Sequence, residues 1–259
     1  MKKSILAAIV LCSILAVSCI HEVCGDIESP AYGYGFCNRE VKAVDLTVIR
    51  KEMGDVNENG NIVKKPIPVM VEEGETVSGS NLYIDAYIRG KERPQDTKFY
   101  YFMVYRIPGN KVIEDQLRTL ATSLAPELEG HYGPMNTNCY GGVEYRTEAC
   151  KAITIKSSTP MFGMDGDCDV TDRFRLSSEF MIYPVFSSED CKMLGSIEEG
   201  MTIDDYLALK PFVNANLLFR LDDIPEDLPL KTSFTVDIEL ADGRHITSTT
   251  PAVTIDHLR

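Results

Sequence analysis

The sequence predicts a mainly β protein: an antiparallel β-sandwich, one large or two Ig-like, with one or two short helices. Three observations lead there. Apolar and polar residues alternate in two long stretches. Leu82, Ile84, Ala86 and Ile88 are interleaved with Tyr83, Asp85, Tyr87 and Arg89, and Phe234, Val236, Ile238 and Leu240 with Thr235, Asp237 and Glu239. Such a period of two marks strands with one buried face. Asn59-Gly60 and Asp242-Gly243 are dipeptides favoured in tight hairpin turns, where glycine tolerates positive φ. Helical spacing is confined to two brief segments.

The elements follow in order. Strands are expected over 43–52 and 62–70, on either side of Asn59-Gly60, and then over 81–89. Phe99 to Ile107 is rich in aromatic residues and reads as a central strand. Val112, Ile113, Leu117, Leu120 and Leu124 fall at helical spacing and stop before Pro126. Further strands are expected over 152–156, 179–186 and 215–221. A short helix opens at Thr202, with Asp205 three places on as in a capping box, and ends near Lys210-Pro211. Phe234 to Leu240 turns at Asp242-Gly243 into a partner strand over 245–255. The body spans 41–259 and reads as one continuous unit. If it were two sandwiches, the Pro/Gly/Asn-rich stretch near 125–150 would divide them.

The N-terminus carries a different signal. Lys2 and Lys3 precede an apolar run from Ile5 to Val17, which is shorter than the roughly 20 residues a helix needs to span a bilayer. This is the layout of a secretory signal over residues 1–18. Ala16-Val17-Ser18-Cys19 closes it and resembles the lipobox of bacterial lipoproteins. That resemblance implies cleavage before Cys19, acylation of its thiol with palmitate-type chains, and a lipid anchor and tether over 19–40. Several acyl chains hold a protein stably at a membrane where one alone would not. No second apolar stretch is long enough to span a bilayer. The net charge is −13, and loss of Lys2 and Lys3 deepens it. An acidic chain repels phosphate backbones, so nucleic acid is excluded as a partner.

Of the 8 cysteines, Cys12 leaves with the leader and Cys19 takes the lipid. Cys24, Cys37, Cys139, Cys150, Cys168 and Cys191 remain, an even set in an exported chain, which reads as a disulfide framework. Sequential pairing is expected: Cys24–Cys37, Cys139–Cys150 and Cys168–Cys191. A zinc site is not expected. There is no Cys-x-x-Cys, and His21, His131, His245 and His257 show no ligand spacing.

Two acidic stretches bear on calcium. Asp55, Asn57, Asn59 and Gly60 match the start of an EF-hand loop, but Pro66 stands where the bidentate Glu belongs. A hairpin turn explains the same residues. Asp165, Asp167, Asp169 and Asp172 gather oxygens, yet Val170 and Leu176 occupy the glycine and glutamate positions. No metal and no cofactor is therefore expected. Gly-x-Ser-x-Gly and His-Glu-x-x-His are absent, so no catalytic residue is nominated and the chain is not read as an enzyme. Tyr32, Tyr34 and Phe36, or Tyr83 and Tyr87, would be the aromatic platform for a glycan, in a chain with no Trp. The preferred reading of Tyr83 and Tyr87 is packing beneath a second layer.

Four strings carry a further resemblance. They are Ala152-Ile153-Thr154-Ile155-Lys156-Ser157-Ser158, Asp169-Val170-Thr171-Asp172-Arg173-Phe174, Phe234 to Gly243, and Thr249-Thr250-Pro251, with Cys139-Tyr140-Gly141-Gly142 as lead-in. Over roughly 140–255 the chain resembles a family of lipoproteins from Bacteroidota that has no assigned activity. The resemblance implies an outer-membrane lipid anchor, facing the periplasm or the surface. Ile20-His21-Glu22-Val23 is a poor match to the acidic export signal of surface-displayed members. The expected function is a binding or interaction module for a protein or glycan. The alternatives are a fimbrillin-like pilus subunit, released by a cut after Arg39 or in Arg50-Lys51, and a hydrolase of unassigned type.

Overall fold

The structure, a computed structural model, describes residues 36–58, 61–90, 109–120, 143–180 and 183–257. Two antiparallel sheets enclose the main core. The larger has the strand order β12 (Met201–Thr202), β9 (Phe174–Leu176), β13 (Asn216–Leu221), β5 (Tyr83–Gly90), β2 (Val41–Glu58), β3 (Asn61–Met70). The smaller runs β16 (His245–Thr249), β15 (Phe234–Leu240), β7 (Cys150–Ser157), β8 (Cys168–Asp169). Strands from before and after the 125–150 stretch are interleaved in the larger sheet, because β13 pairs with β5. The architecture is the mainly β antiparallel sandwich that the alternation predicts.

Each sheet turns one apolar face inward. Ile84, Ala86 and Ile88 of β5 and Phe234, Val236, Ile238 and Leu240 of β15 all have 0% exposure. They belong to one cluster with Val44 and Val48 of β2, Ile153 and Ile155 of β7, and Leu217, Phe219 and Leu221 of β13. Phe174 meets Phe234 edge to face, with ring centroids 5.4 Å apart, a geometry that adds to simple burial. A third sheet, β14 (Leu230–Thr232), β17 (Val253–Asp256), β4 (Thr76–Ser78), adds Val253, Ile255 and Val77 to the same core. Its β17–β4 pair is parallel, as is β1 (Phe36–Asn38) with β6 (Val143–Tyr145).

Helices are few. The chain is helical at 111–120 (α1), where Ile113 and Leu117 are buried with Tyr145, Phe186 and Phe212 in a second, smaller cluster. Among the described residues, a further α-helix is α2 (Ile203–Ala208), where Thr202 accepts the Asp205 N–H at 2.9 Å, the cap read from the sequence. Among the described residues, no helix is long and apolar enough to cross a membrane.

Several elements differ from expectation. The expected strand over 245–255 breaks at Thr250-Pro251. Thr250 Oγ1 accepts the Phe234 N–H and the Thr250 N–H reaches Phe234 O, and the chain then leaves for the third sheet. The turn before it is longer than Asp242-Gly243 alone. Leu240 N–H bonds to Arg244 O and Gly243 N–H to Leu240 O, with Gly243 at φ +85°. This is a three-residue connection whose last position needs glycine. Of the described residues in 179–186, Pro184–Phe186 (β10) form a strand, paired with β11 (Met193–Ser196), and 179–180 do not. The expected strand at 99–107 lies outside the described residues.

Ile238→Ala should cost about 2–5 kcal/mol, because it opens a cavity in the sealed core. Thr235→Ala, on the outer face of the same strand, should cost under about 1 kcal/mol. Urea unfolding followed by circular dichroism distinguishes the two.

Candidate functional site

The second face of the larger sheet is polar in sequence and covered in the structure. Tyr83, Asp85, Tyr87 and Arg89 of β5 point there. Residues 177–180 lie over it. Phe180 packs on Tyr83 at 5.6 Å, leaving Tyr83 only 2% exposed. Lys51 of β2 holds Glu179 at 3.3 Å, and Arg220 of β13 holds Glu199 at 2.7 Å. Glu199 in turn accepts Ser177 Oγ at 2.7 Å and the Ser178 N–H at 2.8 Å. Phe180 and Glu179 thus cross the sheet as a cover instead of extending β10 backward, which is why the strand expected from 179 is cut short.

At the other end of this face, β1 and β6 bring a charge cluster onto β5. The Arg146 side chain is fully buried and donates to Ile88 O and Tyr145 O. It also pairs with Glu144 at 2.9 Å. Glu144 takes Arg39 at 3.0 Å and accepts Tyr87 Oη at 3.2 Å. Two guanidiniums and a phenol therefore converge on one carboxylate, which satisfies the buried arginine without leaving a bare charge.

Asp85 lies between these two covered ends. It is half-buried, and no described residue is hydrogen-bonded to its carboxylate. Desolvation pushes its carboxyl up to about 6. The neighbouring Tyr183 phenol is also raised, first by burial and then by the Asp85 charge. Such a carboxyl changes charge near neutrality and is suited to proton exchange. Among the described residues, however, no nucleophile or second acid faces it across a cleft. Tyr83 is sealed and Tyr87 is tied to Glu144, so neither offers a free ring to a sugar.

The outer face of the smaller sheet holds a second polar group. His245 Nδ1 lies 2.8 Å from Asp237 Oδ2, and Thr247 Oγ1 donates to the other oxygen of Asp237. This orients an imidazole as in a hydrolytic triad. The pair is exposed on a sheet face, and among the described residues no hydroxyl or thiol is bonded to the other ring nitrogen.

Among the described residues, no three His, Cys, Asp or Glu side chains are placed to hold a metal. Asp55 lies inside β2, opposite Lys64, and the strand runs on to Glu58, opposite Asn61. Residues 55–58 are ladder, not a calcium loop, and Asn59-Gly60 lies outside the described residues. Asp169 Oδ1 caps Thr171 through its N–H and Oγ1 at 2.9 and 2.6 Å, and Asp172 sits beside Arg173 at 3.4 Å.

The thiols depart from the expected framework. Cys150, Cys168 and Cys191 are all free, so the expected Cys168–Cys191 bridge is corrected. Cys168 begins β8 opposite Ser157 and packs on the main core. Cys191 sits in the β10–β11 turn, packs on the smaller cluster, and accepts Asn110 Nδ2 at 3.1 Å. Burial pushes the Cys150 thiol up to about 12, so it is not a nucleophile. Cys19, Cys24 and Cys139 lie outside the described residues, as does the side chain of Cys37 in β1, so the Cys24–Cys37 and Cys139–Cys150 pairings fall outside them too.

The most exposed apolar feature is one the sequence reading shortened. β2 and β3 continue as a two-stranded ribbon past Ile49↔Tyr83, the last pairing of β2 with β5. Met53 is 59%, Ile62 76% and Met70 56% exposed. Pro66 and Pro68 lie on the outer strand. The clue available in sequence was the alternation Pro66-Ile67-Pro68-Val69, which suits an edge strand and shows that strand structure extends well away from the turn.

Comparison of the chain with family models, with curated proteins and with solved structures found no match.

Two outcomes follow. Asp85 has a folded-state pKa near 6, above the roughly 3.9 of an unfolded chain. The fold therefore carries no penalty from it below about pH 4, a growing one between about pH 4 and pH 6, and a constant one above that. Asp85→Asn should be nearly neutral at pH 4 and stabilising by about 1–3 kcal/mol at pH 7.5, read by urea unfolding at both pH values. Separately, alkylation of the native protein followed by peptide mass spectrometry should label Cys168 and Cys191 well before Cys150. No Cys168–Cys191 linked peptide should appear.

Proposed function

We propose that this chain is a lipid-anchored protein of the bacterial cell envelope whose β-sandwich is a binding or interaction module and not an enzyme. The observation that carries the location is the leader: Lys2-Lys3, the apolar run to Val17, and Ala16-Val17-Ser18-Cys19. Acylated Cys19 tethers the body at the outer membrane, as in the lipoproteins of Bacteroidota that the C-terminal half resembles. The acidic surface agrees with a partner that is not nucleic acid. Covering of Tyr83 and the Tyr87–Glu144 bond weigh against a glycan platform on β5. The exposed ribbon of β2 and β3 favours a protein partner.

The intact mass of the native protein tests this. Acyl chains on an N-terminal Cys19, and loss of membrane association in Cys19→Ser, are the expected results. A mature chain beginning after Arg39 or Arg50 would instead assign the pilus-subunit alternative. An unmodified Cys19 would remove the anchor.

A further inference from the structure

We infer that the β2–β3 ribbon joins two copies of this chain edge to edge, through the free side of β2. The inference goes beyond the lipoprotein reading and does not need the lipid.

The ribbon leaves the body where β5 stops. At that point Asn81 closes the ladder in place of a strand: its Oδ1 accepts the Lys51 N–H at 2.8 Å and its Nδ2 donates to Lys51 O at 2.9 Å. From Glu52 to Glu58, β3 is the one partner of β2 among the described residues. At roughly 3.3 Å per residue this is an overhang of about 20 Å. A bare two-stranded ribbon is marginal in water and gains stability from a third strand.

The two edges of the ribbon are not equivalent. Proline has no N–H, so Pro66 and Pro68 must turn their nitrogens away from β2. The outer edge of β3 lacks those two donors and is closed to strand addition along that stretch. The same parity turns the N–H groups of Lys51, Met53, Asp55 and Asn57 to the outer edge of β2, as the Lys51–Asn81 bond shows. Beyond Asn81, no described residue bonds to the outward N–H of Met53 or Asp55. Among the described residues, the ribbon thus has one closed edge and one open edge. Pairing of two open edges uses both and stops at two copies, where a ribbon open on both sides would continue into a fibre.

Side chains select the register. Antiparallel pairing about Asp55 would set that carboxylate against its own copy, which is unfavourable. Pairing about Gly54 avoids this. It places Met53 opposite the second copy's Asp55, and it puts the two glycines at a narrow, non-hydrogen-bonded position where chains approach to about 4.5 Å. Ile67 already leans over Gly54, so closely that a Cβ there would collide with Ile67 Cδ1. Its copy would meet it across the paired glycines. The two Met53 side chains become diagonal neighbours on the opposite face.

Sedimentation velocity of the full mature chain, acylated in density-matched detergent and as Cys19→Ser without detergent, tests this. Both forms should pass from monomer to dimer with rising concentration and go no further. Asp55→Pro removes an outward N–H and leaves the β2–β3 ladder intact, so it should weaken the dimer at least tenfold. Lys64→Pro, on the edge already closed, should leave it unchanged. In the dimer, hydrogen exchange at the Met53 and Asp55 amides should slow with concentration. A monomer at every concentration, growth beyond two copies, or equal loss in both proline variants overturns the inference. Failure of Cys19 acylation alone overturns the anchor and leaves the dimer standing.

Discussion

Strand β5 is flanked by β2 and β13, and its neighbours on both faces are protein. On one side Ile84, Ala86 and Ile88 enter the sandwich core; on the other Tyr83 is sealed and Asp85 half-buried. A strand with a polar second face can be covered only if each polar group finds a partner or accepts a cost. That requirement shapes much of the chain outside the two sheets. Glu179 and Glu199 answer Lys51 and Arg220, the Glu144–Arg146 pair of β6 answers Tyr87, and Phe180 answers Tyr83.

Asp85 is the group left to pay. It sits between the two covers, and no described residue bonds to its carboxylate. Desolvation raises its pKa, and that shift is the cost of its place. The group beside it is the Tyr183 phenol. Among the described residues, the ribbon keeps large apolar side chains exposed, Met53 and Ile62 among them. The His245–Asp237 pair is also open to solvent.

The legibility of the fold followed the period of the pattern. β5, β15 and β13 were readable because alternation survives wherever one face is buried, and α2 was readable from Thr202 and Asp205. The ends of elements were less so. Residues 53–58 carry Gly54, Asp55, Asn57 and Glu58, all poor strand formers, and read as approach to a turn. Cross-strand pairing with 61–66 overrode that preference. The strand expected from 179 failed for the opposite reason: Phe180 and Glu179 have the residue types of a strand, but they serve as a lid on Tyr83 and Lys51. Neither outcome is visible in local propensity, since the first is set by cross-strand partners and the second by Lys51 and Tyr83, far away in the sequence. The charge cluster at Glu144 was equally hidden. It joins Arg39, Tyr87, Glu144 and Arg146 from three elements, and only the β1–β6 pairing reveals it.

Cys150, Cys168 and Cys191 are thiols in this structure, and the packing around them accounts for that. An even set in an exported chain argues for staples because small domains cannot bury enough surface to hold themselves. That premise weakens with size, since the buried fraction of a chain rises with its length. Here one continuous cluster draws on the larger sheet, the smaller sheet and the third sheet, and Cys150 contributes to it as a buried apolar side chain. Cys168 borders the same cluster while Cys191 borders the other, so a bridge between them would have to draw two separately packed regions together. Cys150 fills a position in the main core, and Cys168 and Cys191 pack at the borders of the two clusters.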